Sequence, residues 1–147
     1  VAGPAMVVRA AELAAQGVRL GSHDDNSASD RASWRARGAR IAEFPETLEA
    51  AEAAQSGGDA VILGAPNLVR GGSHKGNVSA MDLVAMGLCD ALASDYVPGS
   101  LLSAAFAIAA QFGTRNPAHE LAAAAAGRTA GICFQLDGAD AGVLRHR

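Results

Sequence analysis

Apolar and polar positions come in blocks along this chain, and each block ends on glycine or proline. Pro4 opens a helical stretch over Ala5–Gln16 and Gly17 closes it, the order in which helices place these two residues. Val18–Ser22 is a short apolar run that reads as a strand, and the cluster His23-Asp24-Asp25 follows it directly. A polar helix is expected from Ala28 to Arg37, stopped by Gly38, and then a second strand over Ala39–Phe44, broken by Pro45. The stretch ETLEAAEAAQ is built of strong helix formers and ends at Gly57-Gly58. DAVILGAPN is nearly all apolar, as a strand buried on both faces would be. A long loop over Ala65–Gly76 should follow, with Asn77 capping a helix over Val78–Met86. CDALASDYVP reads as a fourth strand, Ser100–Phe112 as an apolar helix, and Asn116-Pro117 opens a last helix running to Ala126.

Strand and helix in regular alternation, joined by short links, specify about four parallel β/α units. The strand ends are not alike. Unusual residues gather at the C-terminal ends: His23, Asp24 and Asp25; Glu43; Asn67, Arg70 and His74; Asp95 and Tyr96. The opposite ends, AAQGVR, RARGAR, SGGDA and GLCDA, are bland. In α/β barrels and open sheets, active sites form at the C-terminal strand ends. One wall of a site is therefore expected at His23, with Asp95 and the glycine-rich loop as others.

Each cluster also has a plain structural reading. Asp24 or Asp25 could cap the following helix, since aspartate is a preferred N-cap. His23 suits metal ligation, because imidazole with carboxylates forms a ligand set for zinc, manganese or iron. Asp95 either initiates a turn or binds metal and takes the proton of an attacking water. Spacing alone does not choose between these. Around Gly71-Gly72 stand Arg70, His74, Lys75 and Asn77, a combination suited to a phosphorylated ligand. The loop lacks the Gly-Lys-Ser/Thr of a nucleotide-triphosphatase P-loop. Glu43 is read first as a helix cap and second as an inward carboxylate. Trp34 is expected to anchor packing, and His119 and His146 are given no role.

Composition narrows the class. With 147 residues, half of them apolar and 18% charged, the chain can bury a substantial core. A net charge of −3 gives no basic footprint for nucleic acid. No apolar run is long enough for a membrane span, and no basic-then-apolar leader opens the chain. Two cysteines, Cys89 and Cys133, fit a reducing cytosol rather than a disulfide scaffold, so a cytoplasmic location is expected.

Taken in order, GSHDD, IAEFPETLEAA, ILGAPNLVRGGSHKGN, LASDYVPGSLLSAAF and TRNPA resemble the C-terminal half of one enzyme family. It is the α-D-ribose 1-methylphosphonate 5-triphosphate diphosphatase family of the carbon–phosphorus lyase pathway, a branch of the metal-dependent amidohydrolase superfamily. The resemblance covers residues 20–118. It implies an α/β fold, the C-terminal half of a (β/α)₈ TIM-type barrel, with one or two divalent metal ions at the strand ends. It implies water attack on the 5-triphosphate, releasing diphosphate and leaving the 5-phosphate. Asp95 matches the eighth-strand aspartate, a metal ligand and catalytic residue. Counting back from it puts His23 at the fifth-strand metal histidine. Glu43 stands where many relatives have histidine. Arg70, His74 and Lys75, with Asn67, become candidates for gripping the substrate phosphates.

A whole barrel takes about 250 residues, so residues 1–126 are expected to form a partial barrel domain. Residues 127–147 do not follow the superfamily's closing pattern and read as an atypical tail, of a kind a reading-frame change would produce. The chain alone is expected to be inactive, and to form a homo-oligomer or to lack an N-terminal half. Two other readings stay open. One is a different amidohydrolase, such as a deaminase, deacetylase or cyclic amidase. The other is a non-catalytic half-barrel remnant.

Overall fold

A computed structural model describes residues 4–71, 77–112, 133–136 and 139–143. The expected last helix, with His119, therefore lies outside the described residues, as do Gly72, His74, Lys75 and His146. The chain divides into two compact units, Val1–Val61 and Ile62–Arg147.

In the first unit the order is α1 (Pro4–Ala15), β1 (Leu20–His23), α2 (Ala28–Ala36), β2 (Ala39–Glu43) and α3 (Leu48–Ser56). β1 and β2 run parallel, with His23 opposite Glu43 in the register. α2 packs against α3. Ala39, Ala42, Ala50, Ala51 and Ala54 are buried. Small side chains at these positions let helix and strand approach closely.

Serine and threonine start the two later helices of this unit. The Ser27 hydroxyl accepts the N–H of Asp30 at 3.1 Å and the Thr47 hydroxyl that of Ala50 at 3.1 Å. Asp24, Asp25 and Glu43 are thus not the caps the sequence suggested. A hydroxyl two to four residues further along the loop reaches the free N–H groups instead.

β3 (Ala60–Gly64) leads through α4 (Ala65–Arg70) and α5 (Ala80–Ala85) to β4 (Ala91–Ala93), and α6 (Ser100–Phe112) follows. β3, β4 and β5 (Cys133–Leu136) pair in parallel, and β6 (Ala139–Val143) returns antiparallel on β5. α4 packs against α5 and α6. In β3 Val61 and Leu63 are fully buried, while Ala60, Ile62 and Gly64 are half-buried. One face is sealed and the other partly open, so this strand is not buried on both faces.

The expected loop over residues 65–76 begins instead as helix α4. Pro66 sits in its first turn, where a fixed φ suits a helix and the missing N–H has no partner to lose. Gly71 ends it in the left-handed conformation, φ 72°. The cap of α5 is Ser79 rather than Asn77. The atypical tail contains strands where the sequence suggested none.

Alternating helix and parallel strand is the architecture the hydrophobic pattern specified. Among the described residues no helix is long and apolar enough to cross a membrane.

Candidate functional site

Among the described residues, three other than glycine have positive φ: Asp24 at 57°, Phe44 at 55° and Asp95 at 50°. Each lies just past the C-terminal end of a strand, β1, β2 and β4 in turn. Left-handed backbone is unfavourable for residues with a Cβ, and such strain gathers where a side chain must be aimed. None of these three positions is glycine, so a side chain is present at each. This is an independent mark on the strand ends that the sequence had singled out.

At the end of the first unit's strands, β1 carries His23 and β2 carries Glu43 at the same level. The His23 Nδ1 is 2.9 Å from Glu43 Oε2, and its Nε2 is 3.5 Å from Asp24 Oδ1. The Phe44 ring meets the imidazole edge-on, centroids 5.4 Å apart. The imidazole is held on two sides and 59% exposed. A carboxylate on Nδ1 fixes ring orientation, the support that histidine ligands and bases commonly have. Glu43 is thus a partner of His23 rather than a helix cap.

Asp25 turns the other way. Its carboxylate is buried, accepting from the Ser22 hydroxyl at 2.6 Å and from Arg31 Nη1 at 2.9 Å. Arg31, fully buried, also donates to the carbonyls of Ala39 and Ile41, at 2.5 and 3.1 Å. Its Nε stands 3.2 Å from Asp59, which Arg35 and Arg40 approach at 2.7 and 3.0 Å. Of the three titratable residues in SHDD, two face the strand mouth and the third anchors the unit's interior. The sequence held a signal for this network, three arginines in a charge-poor chain, but nothing in it matched them to Asp25 and Asp59.

In the second unit, Asp95 is half-buried, and among the described residues its carboxylate has no hydrogen-bond partner. Arg70 ends α4 and donates from Nη2 to the Tyr96 hydroxyl at 2.5 Å. Asn67 lies on α4, its side-chain oxygen accepting the first N–H of α5, from Ala80, at 3.2 Å. That contact joins α4 to α5 across the glycine-rich segment. Cys89 is buried between Leu88 and the start of β4, and burial, reinforced by Asp90, pushes its thiol up to about 12. It is packing, not a nucleophile.

Among the described residues no group of three or more His, Cys, Asp or Glu side chains is gathered to hold a metal ion. His23 Nε2 and Asp24 Oδ1 offer two donors side by side, whereas a hydrolytic zinc site takes about three protein ligands plus water. The described residues do not by themselves fit a resident metal.

Parallel β/α units with polar, strained strand ends define the class of protein: an α/β scaffold of parallel strands and helices. Over 100 residues the chain is 53% identical to the alpha-D-ribose 1-methylphosphonate 5-triphosphate diphosphatase of Escherichia coli strain K12. The match takes in 68% of this chain and 26% of that protein, so the chain spans about a quarter of the relative's length. No family model matches the chain, and no solved structure matches it.

Proposed function

We propose that this chain is part of a hydrolase that cleaves the 5-triphosphate of α-D-ribose 1-methylphosphonate 5-triphosphate to the 5-phosphate and diphosphate, within phosphonate catabolism. The observation that carries this is the 53% identity over 100 residues to a diphosphatase of that name. The parallel β/α order is consistent with a partial (β/α)₈ barrel of the amidohydrolase type, residues 1–126, with residues 127–147 as a separate tail.

The hydrolysis adds water to one phosphorus of the α–β anhydride, and the bridging oxygen leaves with the other. Asp95, half-buried and without a partner among the described residues, is the group proposed to take the water's proton. Arg70, with His74, Lys75 and Asn67, is proposed to bind the phosphates. A guanidinium binds phosphate oxygens through two parallel N–H groups, and Arg70 is exposed. This cationic set favours an anhydride substrate over the neutral amides of deaminases or cyclic amidases.

Dependence on zinc, manganese or iron is proposed for the longer protein, with His23 and Asp95 each a candidate ligand. A homo-oligomer, or pairing with a further segment, and a cytoplasmic location belong to the same reading. The test is release of diphosphate from the ribose 5-triphosphate by a longer protein containing this sequence, and by the chain alone. Diphosphate from the longer protein and none from the chain is the expected result. Ammonia or acetate release from amide substrates, without diphosphate, would favour a different amidohydrolase. Bound metal lost in His23→Ala and Asp95→Ala variants of the longer protein checks the ligand assignment.

A further inference from the structure

Tyr96 is the chain's single tyrosine, and it is left 65% exposed. Large aromatic side chains ordinarily bury their rings, so an exposed one with a defined contact asks for a reason. Its contact is Arg70. The hydroxyl accepts from Nη2 at 2.5 Å, and the guanidinium carbon stands 5.8 Å from the ring centroid. These two residues are 26 apart in sequence, one ending α4 after β3, the other just past β4. Backbone geometry fixes both ends of the contact. Gly71, φ 72°, stops α4 so that Arg70 is its last residue, and Asp95, φ 50°, turns the chain immediately before Tyr96.

A free arginine on a surface samples many rotamers, and binding an anion means giving these up. The phenol restricts that freedom in advance while occupying one of five N–H donors. Arg70 is exposed, and among the described residues no hydrogen bond engages its other donors, which include a pair able to meet two oxygens of a phosphate. We propose that Tyr96 is a positioning residue: it holds the Arg70 guanidinium across the carboxyl ends of β3 and β4 as a receptor for a phosphate or diphosphate group. The proposal rests on the diphosphatase reading for the identity of the anion. Tyr96 itself makes no contact with the substrate in this scheme and acts through Arg70.

Titration calorimetry of inorganic diphosphate into the 147-residue chain tests this, using Tyr96→Phe, Arg70→Gln and the double variant. Arg70→Gln is expected to weaken binding about 10-fold or more, as loss of a charged phosphate contact does. Tyr96→Phe keeps the ring, removes the hydroxyl, and is expected to weaken binding about 3- to 10-fold by freeing the arginine. The double variant is expected to match Arg70→Gln, because Tyr96 has nothing left to position. Melting temperatures of all variants should stay at the wild-type value, since both residues are exposed.

Wild-type affinity in Tyr96→Phe, losses that add in the double variant, or a wild-type chain that fails to bind diphosphate would each overturn the proposal. The diphosphatase reading fails on a different result. A longer enzyme that releases no diphosphate, beside a chain that binds it in this pattern, refutes the reading and leaves the positioning role intact.

Discussion

Gly57 shows how much one missing Cβ can decide. Its backbone is ordinary, φ −83°, so conformation does not require glycine there. A Cβ would instead collide with the guanidinium of Arg35, which is tied down by Asp59 at 2.7 Å and the Ala53 carbonyl at 2.5 Å. Gly57→Ala should destabilise the chain by about 1–3 kcal/mol through overpacking. In an Arg35→Ala background it should be close to neutral, and urea unfolding of the four proteins checks the coupling. Cys89 makes the opposite case, a chemical group silenced by its surroundings. With its thiol pushed up to about 12, almost no thiolate forms at pH 8, and burial blocks access. In a Cys133→Ala variant, native protein should leave Cys89 unlabelled by a thiol reagent at pH 8 and label it once urea unfolds the chain. His23 is the residue whose role the strand ends set. With Nδ1 held by Glu43, its neutral form should carry the proton on Nδ1, whereas Glu43→Ala should return it to the usual preference for Nε2. Imidazole nitrogen chemical shifts read that change directly.

Between elements, the buried arginine does what apolar side chains do elsewhere. Arg31 leaves α2 and reaches the Ala39 and Ile41 carbonyls of β2, Ser22 of β1, and Asp25 and Asp59 in the loops after β1 and α3. One Asp25 oxygen still lacks a hydrogen-bond partner, so the network is tight but incompletely satisfied. Removing one member strands buried charge, and Arg31→Met is expected to cost about 3–5 kcal/mol, measurable by urea unfolding. Helix starts carry smaller terms. Thr47→Ala should cost about 1 kcal/mol through loss of the N-cap bond to Ala50. Stitching between the loops adds to this. Asn26 donates to Glu46 at 2.8 Å, Thr47 to the Asn26 carbonyl at 3.0 Å, and Glu49 accepts the N–H of Ala28 at 3.1 Å. These bonds hold the loops beyond β1 and β2 beside each other, which is where His23 and Glu43 stand.

At the scale of each unit, polar residues with unusual backbone and a buried, small-residue core lie on the same strands. The carboxyl ends hold the exposed histidine, an aspartate without a partner among the described residues, and the residues of positive φ. The sheet interior and helix faces hold alanine, leucine and the arginine network. Much of this was legible beforehand. Blocks of apolar residues ended by Gly17, Gly38 and Gly57 located helices and strands to within a few residues, because local propensity and burial agreed there. Ser100–Phe112 coincides with α6. The sequence also picked out His23, Glu43, Asp95 and Arg70 as unusual, since polar residues at the ends of apolar strands have no packing reason to be there.

What the string of residues determined alone was therefore the alternation of elements and the gathering of polar residues at one end of the strands, both of which follow from short-range pattern. Which partner each charge takes was settled only by folding. Asp24 and Asp25 are neighbours of the same type, yet one lies beside His23 and the other is buried on Arg31. The left-handed turn at Asp24 and contacts six or more residues away separate them. Likewise Arg70 found Tyr96 26 residues on, because parallel strands bring successive loops to one end. Sequence distance carries no trace of that proximity.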